Sequence, residues 1–185
     1  MLDLDVICEL PKEFLPCEFR IKLAESEWEM EQARKLRRAV FCIEQGVFVG
    51  DDSDALDEIA VPIVAVSCIG GMADQVVGTV RIHSQGDDLW WGSRLAVHPA
   101  FRHYGHIGAT LIRMAVSTAH ARGARIFLAQ VQSQNRPLFE KLHWLALKEN
   151  LRFGRPHCLM QADLHHYPAT EAPIASLVTR SGRLT

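Results

Sequence analysis

The feature that most constrains the fold is a glycine-containing loop between a strand and a helix in the middle of the chain. Residues 89–99 (LWWGSRLAVHP) form a mostly apolar run typical of a strand, and residues 109–123 carry apolar side chains at helical spacing. Gly105 and Gly108 stand at the helix start, where Ser, Asp or Asn is usual. Glycine lets the backbone approach a ligand closely, and the free amides of a helix start bind anions. We therefore predict an anion-binding loop here.

The remaining segments predict further strands and helices around this unit. Strands are predicted at 17–26, 61–69, 76–84, 125–132 and 157–164, and helices at 25–45 and 135–144. The strand at 125–132 follows a helix, which predicts a parallel partner in the sheet. Residues 46–60 form an acidic loop. The length suits one α/β domain, predicted at 1–164, followed by an extension or linker at 165–185.

Composition argues against nucleic-acid and membrane partners. The net charge of −2 provides no basic field for nucleic acid. No apolar run approaches the ~20 residues of a membrane helix, and the acidic start MLDLD is unlike a signal peptide. We therefore expect a cytoplasmic protein. The five cysteines lack a CxxC pair, which predicts reduced thiols, and no metal site is predicted.

Two common phosphate-binding loops do not fit the glycine loop. A P-loop needs GxxxxGK[ST], and no lysine follows the glycines. A dinucleotide-binding loop needs GxGxxG and an acidic residue ~20 positions later, and both the third glycine and the acid are missing. The anion must be held by another kind of loop.

The segment RLAVHPAFRHYGHIGATLI (94–112) resembles motif A of the GCN5-related N-acetyltransferase (GNAT) superfamily, R/Q-x-x-G-x-G/A after a strand. Arg102 and Gly105 match this motif, whereas Ile107 occupies the next small position and Gly108 comes one residue later. FCIEQGVF and NRPLFEKLHW resemble two further family elements, the second with Phe139 at the usual tyrosine. FEKLHW and GRPHCLMQADL also resemble a subfamily found beside nitrilase genes and linked to nitrogen starvation.

The resemblance implies a fold and a reaction. The fold would be a single GNAT-like α/β domain whose mixed, mostly antiparallel sheet is splayed at its central strands, with helices on both faces. The reaction would be acetyl transfer from acetyl-CoA to an amine of a small molecule or peptide by direct attack. A non-catalytic acetyl-CoA sensor and an interaction module of the same fold are the alternatives, and a homodimer is an open possibility.

The resemblance also implies which residues bind coenzyme A. The backbone of the strand end would pair with the pantetheine arm, and the arginine and loop amides would hold the pyrophosphate. Asn135 would either contact coenzyme A or cap its helix. The full set is Leu95, Ala96, Val97, Arg102, His103, Tyr104, Gly105, His106, Ile107, Gly108, Ala109, Asn135 and Phe139.

The chemistry calls for a general base, since a lysine-like amine is mostly protonated at neutral pH. Glu44 is the first candidate, because its segment lines the acceptor side in related folds; the alternative is a solvated or capping glutamate. Asp51 and Asp52, in the acidic loop, would attract a cationic amine, unless the loop is simply solvated. Phe139 has no hydroxyl to protonate the leaving thiolate, so water is expected to do so.

Overall fold

A computed structural model of the chain describes residues 18–104 and 106–177. Predictions that fall on residues 1–17, Gly105 and residues 178–185 lie outside this range. The elements are β1 (Glu18–Leu23), α1 (Glu27–Arg37), β2 (Val61–Ile69), β3 (Met72–Ser84), β4 (Leu89–Val97), α2 (Ile107–Ala121), β5 (Ile126–Gln132), α3 (Arg136–Lys141), β6 (Trp144–Arg152), β7 (Arg155–Ala162) and β8 (Ile174–Leu177). None of the helices in this range is long and apolar enough to cross a membrane.

The strands form one eight-stranded sheet in the order β6-β7-β5-β4-β3-β2-β1-β8. Strands β4 and β5 run parallel, as their separation by a helix predicted, and the other described pairs are antiparallel. The mixed, mostly antiparallel sheet is confirmed. Two strands were not predicted. One is β6, and the other is β8, which arises in the segment expected to be an extension or linker and pairs with β1.

The sheet opens between its two central strands. Pairing of β4 with β5 begins at Leu89 and ends at Gly92, although both strands continue beyond that point. A β-bulge places Arg94 and Leu95 opposite the single residue Val80 of β3, and Arg94 adopts a positive φ of 55°. We call the space between residues 93–97 of β4 and 130–132 of β5 the β4–β5 gap. The expected splay is confirmed.

Helices cover both faces of the sheet because the strands alternate their apolar side chains. On β2, Ile63 and Ala65 join the core beneath α2, whereas Val64 and Val66 join a second core beneath α1. The first core includes Leu111 of α2 among its fully buried side chains. Helices on both faces, as the resemblance implied, are confirmed.

The predicted helix at 25–45 divides into two parts. It begins with a capping box, in which Ser26 and Glu29 satisfy each other's free backbone amides. After Arg37 the chain continues as a π-helical segment, Arg38–Glu44. Hydrophobic spacing alone could not show this change of pitch. Such π segments are frequent at functional sites, and this one ends at the candidate base Glu44.

Gly78 of β3 permits the close contact between the start of α2 and the sheet. A Cβ atom there would lie 2.7 Å from Leu111 Cδ1 and 3.1 Å from Ile107 Cγ2. We expect Gly78→Ala to lower the free energy of unfolding by about 1–3 kcal/mol, measured by urea denaturation, because the core is overpacked. Gly108→Ala is the control, since its Cβ would meet only Val97 Cγ2 at 3.8 Å. Equal stability of the two variants would contradict the tight packing.

Candidate active site

The β4 side of the gap presents backbone groups without a strand partner on that side. His98 N–H donates to the carbonyl of Val77 on β3 (2.8 Å), so the preceding residue, Val97, faces the other way. The Val97 carbonyl accepts a hydrogen bond from Nε of Arg102 (3.0 Å). By the same alternation Leu95 also faces the gap, while the backbone of Ala96 is turned toward β3. Of the three predicted strand residues, two therefore present their backbone to the gap.

The predicted anion loop leads from β4 to the uncapped start of α2. The ring of Tyr104 packs near those of Phe19 and Phe101, with centroids 6.1 and 6.2 Å away, which ties the loop to the core. His106 occupies the cap position but its side chain makes no capping hydrogen bond. The amides of Gly108 and Ala109 follow it, at the positive end of the helix. His103 and His106 are exposed, whereas Ile107 is buried in the core.

The structure joins the candidate base to the candidate phosphate-binding arginine. Nη1 and Nη2 of Arg102 donate to the two carboxylate oxygens of Glu44, at 2.7 and 2.6 Å. These hydrogen bonds lower the pKa of Glu44 and raise the pKa of Arg102, so both groups are charged at neutral pH. Sequence reasoning had assigned the two residues to separate tasks and did not foresee the contact.

Three arginines and three aspartates form a partly buried cluster beside the gap. We call it the arginine–aspartate cluster: Arg37, Arg81, Arg94, Asp52, Asp54 and Asp57. It fixes the acidic loop to α1, β3 and β4. The signal available in the sequence was Arg81, a charged residue between the apolar residues Val80 and Ile82 of β3.

Asp52 is buried, and the structure gives it a structural place. Its Oδ2 accepts from Nε of Arg37 at 2.8 Å and from Nε of Arg94 at 2.9 Å. Asp51 is exposed and accepts hydrogen bonds from the backbone and hydroxyl of Ser53. Guanidinium groups occupy Asp52, whereas the Asp51 carboxylate is exposed and contacts only Ser53. The contact of these aspartates with a cationic amine stays a prediction.

The other carboxylates of the cluster are also neutralised. Asp54 accepts from Nη1 and Nη2 of Arg81 at 2.8 and 2.7 Å. Burial opposes ionisation of Asp57, but hydrogen bonds from Arg37 and Arg81 hold its pKa well below the usual range. Within the cluster, three positive and three negative charges therefore offset one another, so its carboxylates are already engaged by guanidinium groups.

Amide side chains that the sequence did not single out lie at the end of β5. Nε2 of Gln132 donates to Oε1 of Gln45 at 3.0 Å, and Nδ2 of Asn150 donates to Oε1 of Gln130 at 3.1 Å. Arg155 donates to the carbonyl of Gln45. These contacts join the end of the π-helical segment to β5 and to the β6–β7 hairpin.

Two aromatic rings and a guanidinium group stack beside these amides. The ring centroids of Phe48 and Phe153 are 4.9 Å apart, and Arg94 lies over Phe48 at 4.4 Å. Phe153 occupies the tip of the β6–β7 hairpin, so the hairpin reaches the acidic loop. The side opposite α2 thus has both polar and aromatic walls.

The two predicted residues around α3 differ in their exposure. Asn135 precedes the helix, is exposed, and makes no capping hydrogen bond, so the capping alternative is not observed. Phe139 is buried, with its ring 5.0 Å from that of Trp144. Tyr167 donates its hydroxyl to the Leu142 carbonyl, and burial raises its pKa. Neither aromatic side chain offers a free hydroxyl to the gap.

The splayed mixed sheet, with an uncapped helix start at its opening, is the arrangement that the resemblance to the GNAT superfamily implied. The model of the acetyltransferase (GNAT) family matches residues 7–144. The chain belongs to this family, whose members are N-acetyltransferases.

Solved structures share the fold. A Lactobacillus plantarum protein assigned as an N-acetyltransferase is 22% identical, covers 78% of this chain and 97% of its own, and has a TM-score of 0.69. Escherichia coli ElaA is 19% identical, covers 80% of this chain and 99% of its own, and has a TM-score of 0.65. An aminoglycoside 6′-N-acetyltransferase complexed with coenzyme A is 14% identical, covers 76% of this chain and 94% of its own, and has a TM-score of 0.61. No curated protein matches the chain.

Proposed function

We propose that the protein transfers the acetyl group of acetyl-CoA to an amine of a small molecule or peptide. The observation that carries the proposal is the β4–β5 gap, which ends at the uncapped start of α2. The backbone of Leu95 and Val97 faces this gap. An extended arm can pair with such a strand edge, and a phosphate suits the helix start beyond it.

The residues present fit acetyl-CoA, which supplies an acetyl group activated as a thioester. Leu95 and Val97 would hold its arm through backbone hydrogen bonds. Arg102, with the amides of Gly108 and Ala109, would hold the pyrophosphate. The side chain of Asn135 makes no capping hydrogen bond and is available for a further contact. Phe139 would border the site from the core side.

We propose Glu44 as the group that takes the proton from the amine. Neutralising an amine with a pKa of about 10.4 costs roughly 4–5 kcal/mol at neutral pH. The amine nitrogen then forms a bond to the acetyl carbon and the carbon–sulfur bond breaks. The acylated nitrogen gives up its second proton, which water passes to the leaving thiolate. Glu44 is paired with Arg102, so it becomes free when another anion occupies that arginine.

Acetyl-CoA is expected to raise the melting temperature of the protein. Binding to the native state alone contributes about 2.7 kcal/mol at a hundredfold excess over the dissociation constant. Arg102→Ala should weaken binding about tenfold, since a charge-assisted hydrogen bond is lost. Arg122→Ala is the matched control, because its guanidinium pairs with Glu171 at the other end of α2. An unchanged melting temperature with millimolar acetyl-CoA would refute the proposal.

The sensor alternative rests on Phe139, which has no hydroxyl, and on the engaged hydroxyl of Tyr167. A sensor would be stabilised by acetyl-CoA but would release no coenzyme A with any amine. A thiol-release assay across a panel of amines separates the two functions.

A further inference from the structure

We propose that the acceptor amine also carries an anionic group, a carboxylate or a phosphate, which binds on the sheet face opposite α2. This inference rests on the proposed function, because it names the class of its acceptor. We call the part of this face formed by strands β5, β7 and β6 the acceptor face. It lies beside the β4–β5 gap, on the side of the acidic loop.

Strand register determines which side chains occupy the acceptor face. Leu159 of β7 is paired with Gln130 of β5 and with Lys148 of β6, and directly paired residues point to the same face. One step along the strands, His157 is paired with Asn150. The intervening residues of β5 and β7, Ala129, Val131, Cys158 and Met160, belong to the core on the α2 side.

The charges on the acceptor face have one sign. The cationic side chains that point to it are Lys148, Arg152 and Arg155. Strands β5 and β7 contain no acidic residue, and the residues of β6 on this face include none either. None of these three cations lies within 4.0 Å of a carboxylate in the described part of the chain. Glu149 is the only acidic residue of β6, and it forms an ion pair with Arg136 of α3. The face is therefore electropositive.

Buried polar atoms on the same side lack hydrogen-bond partners among the described residues. They are Nδ1 of His83, Nε1 of Trp91 and Oδ1 of Asn150. His83 is only 9% exposed. In the sheet register it lies opposite Trp91 of β4, and Trp91 lies opposite Leu128 of β5, so all three share one face. An unpaired buried polar atom is unfavourable, so these atoms point to a ligand with hydrogen-bonding groups of its own.

The arginine–aspartate cluster does not reverse this sign. Its carboxylates face the same side, but each is paired with guanidinium groups. A cationic acceptor such as a diamine would meet a neutral cluster on one wall and Lys148, Arg152 and Arg155 on the other. An anionic group on the acceptor is attracted by the second wall and not repelled by the first.

Matched pairs of acceptors test the inference. Phenylalanine is compared with phenethylamine and O-phosphoethanolamine with ethanolamine, in acetyl transfer catalysed by the full chain. We expect kcat/KM to be at least about fivefold higher for an anionic member than for its partner. The pair that shows the larger preference identifies the anion as carboxylate or phosphate.

A charge-reversal variant tests the location. Lys148→Glu should raise KM for the acceptor with the anionic group about fivefold and should not raise KM for its partner without that group, which is a cation at neutral pH. Arg113→Glu is the matched control, because this exposed arginine lies on α2, on the opposite face. Equal effects of the two variants would overturn the site.

The outcomes separate this inference from the proposed function. Preference for the acceptors without an anionic group would overturn the inference and leave acetyl transfer intact. Acetyl transfer itself is overturned if acetyl-CoA binds but no amine, in these pairs or in the wider panel, is acetylated. The inference about the acceptor class then fails with it.

Discussion

Asp52→Asn is expected to lower the free energy of unfolding by about 3–5 kcal/mol, because it leaves the three guanidinium groups of the arginine–aspartate cluster with only two carboxylates. The Asp52 side chain is 1% exposed and those of its partners, Arg37 and Arg94, are 7% and 14% exposed. Water therefore cannot replace the lost carboxylate. Urea denaturation followed by circular dichroism measures the change.

Asp51→Asn is the matched control for this prediction. The change is chemically identical and one residue away. The Asp51 carboxylate is exposed, however, and its hydrogen bonds are with Ser53 alone. Its stability should stay close to that of the parent. If Asp52→Asn were equally harmless, the cluster would not hold the acidic loop, and the electrostatic argument for the acceptor class would weaken with it.

Most strands of the sheet could be predicted because they are apolar runs bounded by turn residues. β6 could not be recognised so directly. Leu145, Leu147 and Leu151 are exposed, and a sequence such as WLALKENLR resembles a helix as much as a strand. The available signal was the two-residue turn at Phe153 and Gly154, both with positive φ, which joins β6 to β7.

The candidate site was predictable where it depends on backbone and unpredictable where it depends on side-chain pairing. The strand, loop and helix around residues 95–109 follow from local pattern. The pairing of Glu44 with Arg102 joins residues 58 positions apart, and that of Asp52 with Arg94 joins residues 42 apart. Charged residues in a sequence show that partners are needed, but only the packed sheet determines which partners meet.

Glu44→Gln is expected to lower kcat by 10²–10⁴, the usual contribution of a general base. The substitution keeps the shape of the side chain and removes the proton acceptor. Higher pH should restore part of the rate, because more of the amine is then already neutral. Steady-state rates at saturating acetyl-CoA and acceptor, measured across pH, test this expectation.

The same variant should bind acetyl-CoA more tightly, by up to about fivefold, because a partly exposed ion pair contributes at most about 1 kcal/mol. In the parent, Glu44 competes with an incoming anion for Arg102, and its lowered pKa keeps it charged while it does so. Glutamine competes less, since it carries no charge. A lower kcat together with a lower dissociation constant is therefore the signature of a base that arginine holds until the donor binds.

Glu140→Gln provides the control, because this exposed glutamate also accepts a hydrogen bond from an arginine, Arg136, but lies on α3. Its kcat and dissociation constant should match those of the parent. If Glu44→Gln bound acetyl-CoA more tightly but turned over at the parent rate, Glu44 would only restrain Arg102. The proton would then have to leave through water or through another group near the gap. If neither kcat nor binding changed, the ion pair itself would have no role in the reaction.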